Sequence, residues 1–204
     1  MGKKDELSYG PLSPRTTVHL CVDMQRLFAE DTPWRTPWMP KVLPKVVELA
    51  AHKPDAAIFT RFIPVERPGI GQGTWKRYYE RWADVTLERI GRAMIDLVPD
   101  LRAFTPPGEI LDKQVYSPWI DSDLESRLQR RGADAIVVSG GETDVCVLAA
   151  VLGGLDRGYR VVVATDALCS SSDEAHDAMM TLYHQRYGQQ VETATVQTIR
   201  DAWT

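Results

Sequence analysis

The chain has 204 residues, 44% of them apolar and 25% charged, with a net charge of −4; this is enough for one domain with a full core, and its scattered basic residues give no electrostatic footprint for nucleic acid. No stretch approaches the roughly 20 consecutive apolar residues of a membrane span, which sets membrane proteins aside. The three cysteines, Cys21, Cys146 and Cys169, are an odd set without close spacing, as expected in a reducing compartment, and the histidines His19, His52, His176 and His184 include no pair at close metal-ligand spacing.

Residues 1–15 are polar and read as an arm ahead of a single domain over residues 16–204. No apolar segment follows Lys3 and Lys4, so the expected location is the cytoplasm. Thr17–Asp23 (TVHLCVD) is an apolar run of the kind that a strand buried on both faces presents, and it stops on an acid. An isolated aspartate there is ordinarily a turn or cap residue. From Met24 to Pro40 the prolines, Trp34 and Trp38 make a segment too irregular for one element and apolar enough to cover something. A helix is predicted through KVLPKVVELAAHK (41–53), then a strand, AAIFTR (56–61). After the loop PVERPGIGQG, Trp75, Tyr79 and Trp82 fall at i, i+4, i+7 on a helix; such a stripe serves as core or subunit contact more often than as pocket wall, and both readings stand. ERIGRAMIDLVPDL reads as a helix that Pro99 ends or kinks. EILDK (109–113) is a strand stopping at Lys113, and Ser122 with Glu125 forms a capping box for the next helix.

Ala133–Gly158 reads as a buried strand over 135–139, a turn at Gly140 and Gly141, and a helix. Thr143 is its expected cap, and Val145, Leu148, Ala149 and Leu152 form the stripe turned toward the sheet. Arg157 and Gly158 end it. Cys146 then lies about three residues inside a helix N-terminus, where free N–H groups and the dipole favour a thiolate, although Asp144 in the same turn opposes one. A buried, inert cysteine is the competing reading. YRVVVAT is another strand, followed by Asp166, expected to anchor a loop rather than to catalyse. A helix from about 173 to 187, a short strand near VETAT and a terminal helix complete the order.

Strands alternating with helices imply a three-layer α/β/α fold, a mostly parallel six-stranded sheet with helices on both faces. Ligands bind such sheets outside the carboxyl ends of the strands. Asp23, Lys113 and Cys146 each lie at or just past such an end, so an acid, a cation and a thiol should meet at one edge. There Asp23 could take the thiol proton, Lys113 could hold the thiolate, and backbone N–H groups around Glu142 and Cys146 could hold a carbonyl's developing oxyanion.

Four motifs in order carry a family resemblance over residues 17 to about 170: VDMQRLF, LDKQVYSPW, SGGETDVCV and RVVVATDALCS. On them the chain resembles the isochorismatase-like cysteine hydrolase superfamily, which includes nicotinamidases and N-carbamoylsarcosine amidase. The resemblance implies Asp23 as general base, Lys113 as stabiliser of the thiolate and transition state, and Cys146 as a nucleophile working through a thioester. It also implies a non-proline cis peptide between Gly141 and Glu142 beside the oxyanion site. A glutamate at 142 departs from the family, whose residue there is often small or aliphatic; pointed inward it would select a substrate donor or cation, pointed outward it is solvated. Nicotinamidases carry metal ligands after the second strand, where this chain reads TRFIPVERPG, so no metal and no cofactor are expected. Phe28, Trp34, Trp38, Trp75 and Trp82 are candidates for the pocket wall, with a homo-oligomer, dimer or tetramer, expected from the relatives. The implied activity is hydrolysis of a C–N bond in a small amide or ureide. Vinyl-ether or ester hydrolysis on the same fold, and non-catalytic binding of a small molecule, are the alternatives.

Overall fold

Short, mostly apolar runs rich in β-branched residues form the centre of the molecule, because only a strand covered on both faces can bury them. In the computed structural model, which describes residues 6–204, β1 (Thr17–Val22), β2 (Ala57–Phe62), β3 (Glu109–Lys113), β4 (Ala135–Gly141), β5 (Arg160–Cys169) and β6 (Val191–Ala194) make one sheet. Its order is β3-β2-β1-β4-β5-β6, and every neighbouring pair is parallel. The helical segments, in chain order, are α1 (Arg26–Ala29), α2 (Met39–His52), α3 (Thr74–Arg81), α4 (Leu87–Ile90), α5 (Pro99–Arg102), α6 (Leu124–Arg130), α7 (Cys146–Asp156), α8 (Asp173–Gln185) and α9 (Val196–Ala202).

Alternation along the strands divides the core in two. Cys21, Phe59, Val137 and Val162 pack with Val46 and Leu49 of α2 and Ile199 of α9. Leu20, Ile58, Ile136 and Val161 pack with Leu128 of α6, Val151 of α7 and Tyr183 of α8. Each such side chain contributes about 1.5–3 kcal/mol on burial, and together they give the expected three layers. Strand order reverses between β1 and β4, the place in an open parallel sheet where loops part and leave a crevice.

Several expectations change. The stretch predicted as one helix from Glu88 breaks into α4, a 3₁₀ turn over Arg92–Ile95 and α5. Gly91, at φ +76°, cannot continue the first piece, and Pro99 starts the last, where its missing N–H costs nothing. Ser122 Oγ accepts from Leu124 N–H at 3.2 Å, but Glu125 turns away to Arg157 at 3.0 Å, so the capping box does not close. Helix α7 begins at Cys146 itself, and Thr143 bonds the Cys169 carbonyl (3.1 Å) and His176 Nδ1 (2.8 Å) instead of capping it. Its inward face is Val147, Ala150, Val151 and Gly154, while Val145, Leu148, Ala149 and Leu152 stay half-buried. An apolar stretch with little amphipathic contrast does not reveal which stripe faces the sheet. The polar arm is anchored where it is described: Leu7 and Leu12 are buried, Leu12 N–H donates to Ala202 O at 2.8 Å, and Arg160 donates to the carbonyls of Gly10 and Pro11. Residues 1–5 of that arm lie outside the described residues. Asp166 falls within β5 rather than beyond it, and its Oδ1 accepts from Val196 N–H at 2.8 Å, anchoring the start of α9. No helix among the described residues is long and apolar enough to cross a membrane.

Candidate active site

Asp23 is the first residue after β1, and the chain must turn there without a glycine. Its φ of +50° is in the left-handed region, which aspartate tolerates better than most residues. Thr60 of β2 fixes it from the side: Asp23 N–H donates to Thr60 Oγ1 at 3.1 Å, and the Thr60 hydroxyl donates to Asp23 Oδ1 at 2.5 Å. Two residues on, Gln25 clips the same corner. Its side chain accepts from Phe62 N–H at 2.6 Å and donates to the carbonyls of Phe62 (3.0 Å) and Ile95 (2.7 Å), all buried.

Lys113, at the end of β3, reaches across β2 and β1 to this acid. Its Nζ lies 2.7 Å from Asp23 Oδ2, donates to Cys146 Sγ at 3.4 Å and to Val115 O at 3.2 Å, and sits 5.0 Å from the Phe62 ring centroid. The three side chains predicted to converge do so, and all are buried. Burial alone would push the Lys113 pKa down, but the Asp23 carboxylate and Cys146 outweigh it, and the ammonium is held above the usual lysine value. The thiol departs from expectation. Burial, then the charge of Asp23, push Cys146 well above the usual thiol range against the opposing pull of Lys113. The resting group is therefore a thiol beside the Lys113–Asp23 ion pair. Asp144, expected to oppose the thiolate, is occupied elsewhere, accepting from Ser170 Oγ at 2.5 Å.

The turn before Cys146 is made by glycine for a packing reason. Gly140 has φ +107°, and a Cβ on it would meet Val22 O at 2.1 Å, so only hydrogen fits between β4 and β1. The Gly141–Glu142 peptide is cis. Thr143 N–H donates to Cys169 O at 2.9 Å, and Val145 and Val147 N–H both donate to Glu142 O, at 3.1 and 3.0 Å. Among the described residues, the N–H groups of Glu142 and Cys146 have no such acceptor.

Cys146 forms part of the wall of a cavity of about 210 Å³ lined by aromatic rings. Phe28 and Trp34 stack at 6.1 Å between centroids, Trp82 meets Trp34 edge-on at 6.3 Å, and Tyr78, Tyr116 and Phe62 line the cavity with them. The irregular segment from Met24 to Pro40 is thus the cover over the thiol. Trp75 stands behind that wall, edge-on to Tyr116 at 4.9 Å, and Trp38 lies at a different cavity under Lys41. The aromatic stripe of α3 therefore serves the pocket through Trp82 while Tyr79 is core. Glu142 lines the cavity, its Oε1 held by Ser171 N–H at 2.9 Å. Thr60, Tyr78 and Tyr116 were not foreseen. Tyr116 lies three residues after Lys113, which was a usable signal, whereas Thr60 inside a strand carried none. Among the described residues no group of three or more His, Cys, Asp or Glu could hold a metal ion.

A three-layer α/β/α protein with an acid, a lysine and a thiol gathered at the switch point of its sheet defines the class. The Isochorismatase domain model matches residues 17–195, and the chain belongs to that family. It is 33% identical over 76 residues to an isochorismatase family protein of Bacillus subtilis (strain 168), covering 37% of this chain and 40% of that one. It is 30% identical over 84 residues to nicotinamidase 3 of Arabidopsis thaliana, covering 41% of each. The matched stretch spans about two-fifths of the length of these curated relatives. The solved structure of a cysteine hydrolase from Pseudomonas syringae pv. phaseolicola 1448A superposes with a TM-score of 0.80 at 23% identity over 99% of this chain and 100% of that one, which shows a shared fold.

Proposed function

We propose that the protein is a cysteine hydrolase that cleaves a C–N bond of a small amide or ureide through a thioester on Cys146. One observation carries the reading: Lys113 Nζ touches both Asp23 Oδ2 (2.7 Å) and Cys146 Sγ (3.4 Å) beside a cavity sized for a small molecule. The raised thiol pKa and the carboxylate beside it, in contact with Lys113, make Asp23 the base. It takes the thiol proton as sulfur attacks the carbonyl carbon, and it gives that proton to the departing nitrogen. Lys113 keeps its charge throughout and offsets the negative charge that passes from carboxylate to sulfur. The N–H groups of Glu142 and Cys146 receive the oxyanion; such a donor is worth about 2.7–4 kcal/mol in other hydrolases. The aromatic walls favour a flat acyl group, and the Glu142 carboxylate favours one that carries N–H donors. The nicotinamidase among the relatives supports the choice of a C–N bond.

The test is ammonia release from nicotinamide, carbamoyl-amino acids, biuret-like ureides and maleamate, with Cys146→Ala as control. Release by the wild type that the variant lacks supports the reading, and equal release from both removes it. Pyruvate released from a vinyl-ether substrate in place of ammonia would move the reading to vinyl-ether cleavage.

A further inference from the structure

Next to the aromatic cavity lies a much smaller hollow of about 20 Å³. Its walls are Asp23, Cys146, Gly141, Glu142 and Thr36, with Phe28 and Met39 supplying apolar surface. A space of about 10–15 Å³ on this measure suffices for one water molecule, and this one is too small for any substrate. Thr36 is fully buried. Its N–H donates to Phe28 O at 2.8 Å and its carbonyl accepts from Met39 N–H at 3.1 Å, yet among the described residues its hydroxyl has no partner. A buried hydroxyl left unpaired is destabilising, and a water in the hollow would pair it while lying beside the acid and the sulfur.

We infer that Thr36 is a positioning residue that holds the hydrolytic water for the second half of the reaction, an inference that rests on the thioester reading above. The water oxygen bonds to the thioester carbonyl carbon and its proton passes to Asp23. The C–S bond then breaks with its electron pair on sulfur, which recovers the proton from Asp23, leaving a carboxylic acid and the free thiol. Thr36 acts through the water, which it orients by one hydrogen bond. It therefore affects attack by water and leaves attack by the thiol alone.

p-Nitrophenyl acetate serves as probe, since it would acetylate Cys146 with release of nitrophenolate, and hydroxylamine competes with water for the acetyl group. The ratio of acetohydroxamate to acetate reports water attack whichever step limits turnover. In Thr36→Val this ratio is expected to rise roughly ten- to a hundredfold, the scale of a misplaced reactant, with Thr36→Ser close to wild type and the rate of acetylation unchanged. An unchanged ratio in both Thr36→Val and Thr36→Ala overturns the inference, and Thr36→Ala also decides the matter if the valine variant does not fold. Failure of the thioester reading looks different: Cys146→Ala would then release nitrophenolate as fast as wild type, before any Thr36 variant is made.

Discussion

At the scale of single residues the site is governed by who holds the proton. A helix N-terminus and a nearby lysine would ordinarily favour a reactive thiolate, but burial and then the charge of Asp23 raise the thiol pKa well above its usual value against the pull of Lys113. Asp23 raises the thiol pKa, and in the mechanism proposed above it is also the base that removes the same proton. Asp23→Asn separates the two effects. Turnover is expected to fall by roughly 10²–10⁴, the usual worth of a general base, while alkylation of Cys146 by iodoacetamide at neutral pH becomes faster, because the amide no longer raises the thiol pKa and Lys113 still lowers it. Slower alkylation in Asp23→Asn would contradict this account of the charges. Lys113→Met should slow alkylation relative to wild type, because the ammonium that stabilises the sulfur anion is lost while Asp23 still opposes it. Labelling at Cys169 stays negligible throughout, its pKa pushed up to about 12 by burial and by the charge of Glu142. The raised thiol pKa could not be read from the chain, since sequence shows the helix start and not the depth at which it lies.

At the scale of elements, the turn joining β4 to α7 depends on a hydrogen where any side chain would strike backbone. An alanine Cβ at Gly140 would lie 2.1 Å from Val22 O and 2.8 Å from Val22 N, inside a strand pair that cannot part without losing its ladder. Gly132 also has positive φ, +60°, but its Cβ would meet open space. Gly132→Ala is therefore expected to cost about 1 kcal/mol of backbone strain, whereas Gly140→Ala should exceed about 4 kcal/mol and fail to give soluble protein or drop sharply in Tm. Equal melting temperatures would show that β1 and β4 can separate. Strands were the legible elements, because a short apolar β-branched run between polar turns has few other uses. Helices whose exposed side is also apolar were not: in α7 the register that looked inward was the half-buried one, and the segment after Glu88 broke at a glycine that periodicity overlooks.

At the scale of the whole molecule, three strand ends far apart in the chain could be placed together in advance because a parallel sheet aligns them and its order reverses between β1 and β4. The side chains that hold the site from the adjoining strand, such as Thr60, were hidden, since nothing local marks a strand threonine as a partner. The same sheet buries one group that ties global stability to pH. His19, in the middle of β1, is fully buried, its Nε2 2.8 Å from Ser139 Oγ, and burial drives its pKa from 6.5 down to about 3. Below pH 6.5 the unfolded chain binds a proton that the folded one refuses, so stability present above that pH is lost as pH falls, by about 1.4 kcal/mol per unit until the folded pKa is reached. Between pH 7.5 and 5.0 the loss traceable to His19 is about 2 kcal/mol, since only the interval below 6.5 counts. Urea unfolding of wild type and His19→Gln at the two pH values isolates it, because every other titrating group is common to both. Wild type should lose about 2 kcal/mol more than the variant on acidification. Parallel losses would mean that His19 is protonated inside the folded sheet, and that the layer beneath β1 is open to water.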